Sequence, residues 1–114
     1  MATPLGPYTP AVRAGEFLFC SGQIGIDGTD LVEGLEAQIR QSMANLKSLL
    51  EEHGLGFDKV VKTTCFLVNA ADYQTMNELY VEAFGDVRPA RSAVAVASLP
   101  KGALFEIEAI VHAV

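Results

Sequence analysis

The chain has few basic side chains, no basic run and no long apolar run. Its 114 residues carry eight Lys and Arg against fourteen Asp and Glu, a formal net charge of −6. Nucleic-acid-binding proteins draw much of their affinity from Lys and Arg that neutralise phosphates, so a nucleic-acid partner is disfavoured. No apolar run approaches the roughly 18 residues that a membrane-spanning helix needs. The N-terminus lacks the basic start and apolar stretch of a signal peptide. We therefore expect a cytoplasmic protein with no membrane partner.

Cysteine and histidine are also scarce, with two residues of each. Cys20 and Cys65 lack CxxC spacing and lie in apolar segments. We therefore expect two free, buried thiols rather than a disulfide or a redox pair. His53 and His112 lie far apart in the sequence with no ligand pattern around them. The sequence therefore predicts no metal site.

The spacing of apolar residues predicts a single domain over residues 1–114 with the element order ββαβαββ. The size is typical of one domain, and no repeat or linker divides the chain. The predicted elements are a strand over 16–20, a short strand within 25–34, a helix over 35–53, a strand over 59–68, a helix from Asp72 to Gly85, and strands over 90–97 and 104–113. This order indicates an α+β fold with a mixed sheet and two helices on one face.

Each predicted helix has one apolar stripe at helical spacing. The stripes are Leu35, Ile39, Met43, Leu46 and Leu50 in the first helix, and Tyr73, Met76, Leu79, Tyr80 and Phe84 in the second. Asp72 is placed to cap the second helix. Gly54 and Gly85 supply the two stops.

The last two predicted strands alternate between their two faces. Over 104–113 one face is apolar throughout, and the other carries Glu106, Glu108 and His112. Over 90–97 one face carries Val94 and Val96, and the other carries Arg91, Ala93, Ala95 and Ala97. We expect the valines, with Phe105 and Ile107, to pack beneath the helices. The face that carries Arg91 would then need a cover, and a symmetric oligomer is the simplest one.

Arg91 and the two glutamates are the candidate functional side chains. A guanidinium is planar and always charged, so it can hold a carboxylate through two parallel hydrogen bonds. The alternative is a structural salt bridge from Arg91 to Glu106 or Glu108. The two carboxylates share a strand face about 7 Å apart. A carboxylate in a partly dry cleft can transfer protons near neutral pH, and the residues alone leave open which of the two would do so.

Six short motifs, in order along nearly the whole chain, resemble the RidA family, also called the YjgF family. They are Gly6-Pro7-Tyr8, Ser21-Gly22-Gln23-Ile24, Val61-Lys62-Thr63-Thr64, Asn77-Glu78-Leu79-Tyr80, Pro89-Ala90-Arg91-Ser92 and Glu106-Ile107-Glu108-Ala109. Family members are cofactor-independent enamine and imine deaminases. The resemblance implies a chorismate-mutase-like fold and a homotrimer with clefts between subunits.

The resemblance also implies a reaction: hydrolysis of 2-aminoacrylate, 2-iminopropanoate or 2-iminobutanoate to a 2-keto acid and ammonia, without a cofactor. Arg91 would hold the substrate carboxylate, and Glu106 would position or activate the water. The other implied site residues are Tyr8, Ser21, Gly22 and Asn77. Without the resemblance, these four are better explained as a surface aromatic, a strand-ending turn and a solvent-facing amide.

The chain departs from the family pattern at Ala93, where many members carry a cysteine. A thiol is therefore unavailable for covalent chemistry at that position. Two other functions fit some of the residues. One is a non-catalytic module that binds small keto acids through the same arginine. The other is a ribonuclease or translation inhibitor, an activity attributed to some relatives, which the acidic composition disfavours.

Overall fold

Alternating apolar residues form a five-stranded mixed sheet in the computed structural model, which describes residues 4–114. The elements are β1 (Ala11–Ala14), β2 (Phe17–Gln23), β3 (Ile26–Asp27), β4 (Asp30–Leu31), α1 (Leu35–Glu52), β5 (Val60–Leu67), α2 (Tyr73–Phe84), β6 (Ala90–Ala95) and β7 (Phe105–His112). The strand order of the main sheet is β1-β2-β7-β5-β6, and β3 and β4 form a separate two-stranded sheet. Only the β5–β6 pair is parallel among the paired strands of the main sheet.

The predicted α+β class, the mixed sheet and both helices are confirmed, but the strand list needs two corrections. β1 was not predicted, because this edge strand has four residues, three of them exposed, and carries no alternating apolar pattern. The short strand expected within 25–34 is a hairpin of two-residue strands outside the main sheet. The observed order is therefore ββββαβαββ.

The helices begin and end close to the predicted positions. The buried side of α1 contains Ile39, Met43, Leu46 and Leu50, as its stripe predicts. Gly54 and Gly85, which follow the two helices, have φ values of 71° and 60°, a region that favours glycine. Asp72 occupies the N-cap position of α2 but makes no side-chain capping hydrogen bond.

Both helices cover the same face of the sheet. The core contains Ile39 and Leu46 from α1 and Met76 from α2. Alternate residues of β7, including Phe105 and Ile107, lie in the same core and are fully buried. This confirms the expected apolar face of the last strand.

The expected faces of β6 are wrong. Val94 is 45% exposed, whereas Ala93 packs against the core beneath the helices. Pairing with β5 explains the difference: Ala93 lies opposite Cys65, and Arg91 lies opposite Thr63, which are both fully buried. Since side chains alternate strictly along a strand, this register turns Arg91 toward the helices and Val94 away from them. The sequence pattern places the larger side chain, Val94, in the core, but at this edge strand the small side chain of Ala93 occupies the core side.

The opposite face of the sheet, which we call the open face, has no helix over it. It exposes large apolar side chains on three strands, Val12, Phe17, Phe19 and Val94. Glu106 and Glu108 lie on this face, because they alternate with the core residues of β7. An uncovered face was therefore correctly expected, but it is the face of the glutamates rather than that of Arg91.

Both cysteines are buried and free. Burial raises the pKa of Cys20 to about 11 and that of Cys65 to about 12. Thiols with such a high pKa hold their protons at neutral pH and are poor nucleophiles. None of the helices in residues 4–114 is long and apolar enough to cross a membrane.

Gly25 allows the chain after β2 to approach α1 closely, and this contact provides a test of the fold. A Cβ at position 25 would lie 2.6 Å from Cα and 2.8 Å from the carbonyl oxygen of Gln38. We expect Gly25→Ala to lower the free energy of unfolding by roughly 1–3 kcal/mol, because backbone must move. Gly56→Ala is the matched control, since its Cβ would meet only the mobile tip of Asp58. Urea denaturation measures both, and equal effects would contradict the assigned contact.

Candidate active site

A cleft of about 370 Å³ opens at the end of β2, between the N-terminal segment and β7. Tyr8, Ser21, Gly22 and Glu106 all line it, so the structure brings four of the proposed site residues together. The remaining lining residues are Pro4, Leu5, Pro10, Gln23, Ile24, Ile26, Asn45, Pro100 and Glu108. The cleft thus combines an apolar wall with two carboxylates and two hydroxyl groups.

Hydrogen bonds at Ser21 hold the N-terminal segment over the cleft. The Ser21 amide donates to the Pro10 carbonyl, and Ser21 Oγ donates to the Thr9 carbonyl, both at 2.8 Å. Nearer the N-terminus, the Leu5 amide donates to the Tyr8 hydroxyl at 3.3 Å. Ser21 therefore has a defined structural role, and Tyr8 lies at the cleft with a half-exposed ring.

Gly22 makes room for the Glu106 carboxyl group. A Cβ on Gly22 would overlap the carboxyl oxygen Oε2 and would lie 2.7 Å from Cδ of Glu106. The pairing of β2 with β7 shifts register between Cys20 and Gln23, which places this glycine at an irregularity of the strand. Only glycine lets the two strands keep the Glu106 side chain at this position.

The structure distinguishes Glu106 from Glu108. Glu106 is partly buried, whereas Glu108 is exposed. Burial raises the pKa of Glu106 above its ordinary value, and the negative charge of Glu108 raises it further. A carboxyl group with a raised pKa is suited to accepting and returning a proton. Of the two candidates, Glu106 therefore has the environment of a general base.

Arg91 lies away from this cleft, on the helix side of the sheet. Its Nη2 donates to the Tyr73 hydroxyl at 3.1 Å, and its guanidinium carbon lies 4.9 Å from the Tyr80 ring centroid. Strand β5 separates Arg91 on β6 from the glutamates on β7. Within residues 4–114, the side-chain ion pairs involve Arg40 rather than Arg91. The alternative of a salt bridge from Arg91 to Glu106 or Glu108 within one chain is therefore wrong.

Tyr80 anchors the arginine to the core. Its hydroxyl shares a 2.8 Å hydrogen bond with Thr63 Oγ1. Its ring stacks on Phe84, which in turn stacks on Phe57, with centroids 4.5 Å apart in each pair. Arg91 thus lies at the end of an aromatic stack. The sequence pattern assigned Tyr73 and Tyr80 only to an apolar helix stripe and did not reveal this contact.

Asn77 lies on α2 rather than in the cleft. It follows Tyr73 by four residues and precedes Tyr80 by three, so the three share one side of the helix. Its Oδ1 atom is buried and has no hydrogen-bond partner within the described part of the chain. Asn77 therefore lies on the side of α2 that carries the two tyrosines near Arg91, and it does not line the cleft that contains Glu106.

The proposed site residues consequently form two groups on opposite faces of the sheet. The cleft group is Tyr8, Ser21, Gly22 and Glu106, and the arginine group is Arg91 and Asn77. Neighbouring strands are about 4.8 Å apart, and β5 lies between β6 and β7. A molecule of three or four carbons cannot contact Arg91 and Glu106 of the same chain. Residues 4–114 hold no group of three or more His, Cys, Asp or Glu side chains arranged for a metal ion.

The raised pKa of Glu106 makes stability depend on pH. A carboxyl group whose pKa is higher in the folded chain favours folding while it is protonated, and this contribution is lost as pH rises through the raised pKa. Its ordinary value is 4.5, so the loss develops above that pH. We expect Glu106→Gln to gain thermal stability relative to the parent as pH rises from about 4.5 to neutral.

Melting temperatures across this pH range measure the effect. Glu52→Gln, at the exposed end of α1, controls for the loss of one negative charge. A pH-independent difference between Glu106→Gln and the parent would show that the carboxyl group is not destabilised by its surroundings.

Comparisons with known proteins show which family the chain belongs to. Residues 1–113 match the family model described as Endoribonuclease L-PSP. A RutC family protein of Pyrococcus horikoshii is 46% identical to this chain, and the match covers 96% of this chain and 89% of that protein. The human 2-iminobutanoate/2-iminopropanoate deaminase is 40% identical to this chain, and the match covers 93% of this chain and 80% of the human protein. The crystal structure of RidA from an Antarctic Psychrobacter has a TM-score of 0.94 at 38% identity, covering 97% and 92% of the two chains. The chain therefore belongs to the Endoribonuclease L-PSP family, together with RidA and RutC proteins.

Proposed function

We propose that the chain is a cofactor-independent deaminase that hydrolyses small 2-imino acids to 2-keto acids and ammonia. The substrates would be 2-iminopropanoate, its enamine tautomer 2-aminoacrylate, and 2-iminobutanoate. One observation carries the proposal: a half-buried carboxyl group, Glu106, whose pKa is raised, lies in a cleft beside Gly22. The names of the human and mouse relatives, both 2-iminobutanoate/2-iminopropanoate deaminases at 40% identity, support the reaction class.

The reaction needs one group that first accepts and then returns a proton. Water adds to the imine carbon and loses a proton, and the nitrogen gains protons until ammonia leaves and the C=O bond forms. Glu106 would take the proton from water and pass it to nitrogen. Because burial raises its pKa, the carboxyl group is better suited to both steps than an ordinary glutamate. Imine hydrolysis already proceeds in water, so positioning and proton transfer are sufficient catalysis.

Arg91 would supply the binding energy for the acid group. Its guanidinium donates one hydrogen bond, to Tyr73, and forms no ion pair within residues 4–114. The remaining N–H donors suit the planar carboxylate that all the proposed substrates share. Asn77, whose Oδ1 lacks a partner in the same residues, lies on the same side of α2 as the tyrosines that contact Arg91.

The separation of the two groups supports a site built from two subunits. Arg91 of one copy would meet Glu106 of its neighbour, in a homotrimer whose subunits cover one another's open faces. The exposed apolar side chains Phe19, Val12 and Val94 supply the surface for this contact. A closed ring of identical interfaces would present three equivalent clefts.

Two other functions predict different results in the same assays. The family description names an endoribonuclease, but the net charge of −6 and the paired carboxylates in the cleft would repel phosphates. A module that only binds keto acids would use Arg91 but would not accelerate imine hydrolysis. An assay in which a dehydratase generates 2-aminoacrylate, followed by keto-acid release, separates binding from catalysis.

In this coupled assay, the two glutamates should behave differently. We expect Glu106→Gln to reduce the rate at least about 100-fold, because glutamine preserves shape but cannot accept a proton. Glu108→Gln should retain most of the rate, since Glu108 is exposed and only adjusts the pKa of Glu106. If Glu108→Gln were the damaging change, the two assignments would be reversed. A parent protein that does not accelerate keto-acid release would refute the deaminase.

Subunit mixing tests the shared site. Arg91→Ala and Arg91→Lys should each reduce kcat/KM by roughly 30- to 1,000-fold, because lysine lacks the planar fork. Co-expression of Arg91→Ala with Glu106→Gln should restore about a quarter of the parental rate, since each mixed trimer holds one intact site. Light scattering should give three times the 12.2 kDa chain mass for the parent and both variants. A monomeric parent, or no recovery in mixed trimers, would contradict a site between subunits.

A further inference from the structure

We infer that Tyr73 is a positioning residue for Arg91, and that its hydroxyl fixes the plane in which the guanidinium meets the acid group of the ligand. The inference rests on the proposed role of Arg91 as a carboxylate-binding residue. It concerns a residue outside the six that the sequence motifs indicated.

The guanidinium lies between two tyrosines of α2. Its carbon is 4.9 Å from the Tyr80 ring centroid and 5.6 Å from that of Tyr73. Both distances fall within the range of favourable contact between a cation and an aromatic face. The Tyr73 hydroxyl also accepts a hydrogen bond from Nη2 at 3.1 Å. The two rings restrict where the group lies, and this hydrogen bond restricts how it is rotated.

The two tyrosines have different surroundings. Tyr80 is buried, and its hydroxyl is bonded to Thr63 in the core. Tyr73 is 46% exposed, and Arg91 is the hydrogen-bond partner of its hydroxyl among the described residues. Burial therefore accounts for the position of Tyr80 but gives no reason for a hydroxyl at position 73. A phenylalanine would serve the apolar stripe of α2 equally well.

Restricting the arginine improves ligand binding for a definite physical reason. A free arginine side chain can adopt many rotamers, and part of this entropy is lost when it binds a ligand. Contacts that restrict the side chain beforehand reduce that loss. Tyr73 does so with a neutral hydroxyl, so the positive charge stays available. A carboxylate in its place would restrict Arg91 equally well but would neutralise the charge that binds the ligand.

The test measures the binding of 2-oxobutanoate, a stable 2-keto acid, to the assembled protein by NMR titration. We expect Tyr73→Phe to weaken its affinity roughly three- to tenfold, the range that one hydrogen bond spans. The melting temperature should stay within about 2 °C of the parent, since the phenyl ring keeps the packing. With imine substrate, KM should rise by a similar factor while kcat changes little. Val81→Ala, an exposed change on α2, is the control and should leave the affinity unchanged.

A double variant shows whether Tyr73 acts through Arg91. In the Arg91→Lys background, which lacks the planar fork, Tyr73→Phe should change the affinity by less than about twofold. Parental affinity in Tyr73→Phe, or an equal loss in both backgrounds, would overturn the inference. A parent that does not bind 2-oxobutanoate would also overturn it. A parent that binds the acid but does not accelerate imine hydrolysis would refute the deaminase alone, and the affinities would still decide the role of Tyr73.

Discussion

The arrangement of this protein depends on the sheet having helices on only one of its faces. The two helices bury alternate residues of β7 and leave the other half of the strand, with Glu106 and Glu108, on the open face. The parallel pairing of β5 with β6 then turns Arg91 toward α2. A single set of packing contacts therefore places a cation on one face and carboxylates on the other. The separation of charge follows from the alternation of side chains along strands, without any special loop.

The open face is the surface through which the proposed trimer would assemble. Large apolar side chains there, including Phe19 and Val94, are about half exposed, and covering them with another copy would remove apolar surface from water. In the proposed trimer, the same contact would bring the arginine of one subunit to the carboxylate of the next. Oligomerisation and site assembly would then have one physical cause. Catalysis would depend on subunit association, because neither charged group suffices alone.

Much of the fold could be predicted from the sequence, because its signals are periodic. The helical stripe containing Ile39 and Leu46 and the alternation of β7 each place many side chains at once. β1 and the face of β6 could not be predicted, since one lacks an apolar pattern and the other places Ala93 in the core and Val94 outside. The candidate site was likewise only partly predictable from the sequence. The motifs indicated Glu106 and Arg91, but no local pattern shows that Gly22 gives the carboxylate room or that Tyr73 holds the guanidinium.

The surroundings of Arg91 also explain why water, rather than a thiol, is the nucleophile in the proposed reaction. Position 93 holds an alanine that packs against the core. The thiol opposite it in the sheet, Cys65, is fully buried, and burial raises its pKa to about 12. Such a group stays protonated and out of reach of a ligand. In the proposed reaction, Arg91 would therefore hold a reactive imine without a nucleophilic sulfur beside it on the same chain, and bond formation at the imine carbon would be left to water and to the carboxylate of the cleft.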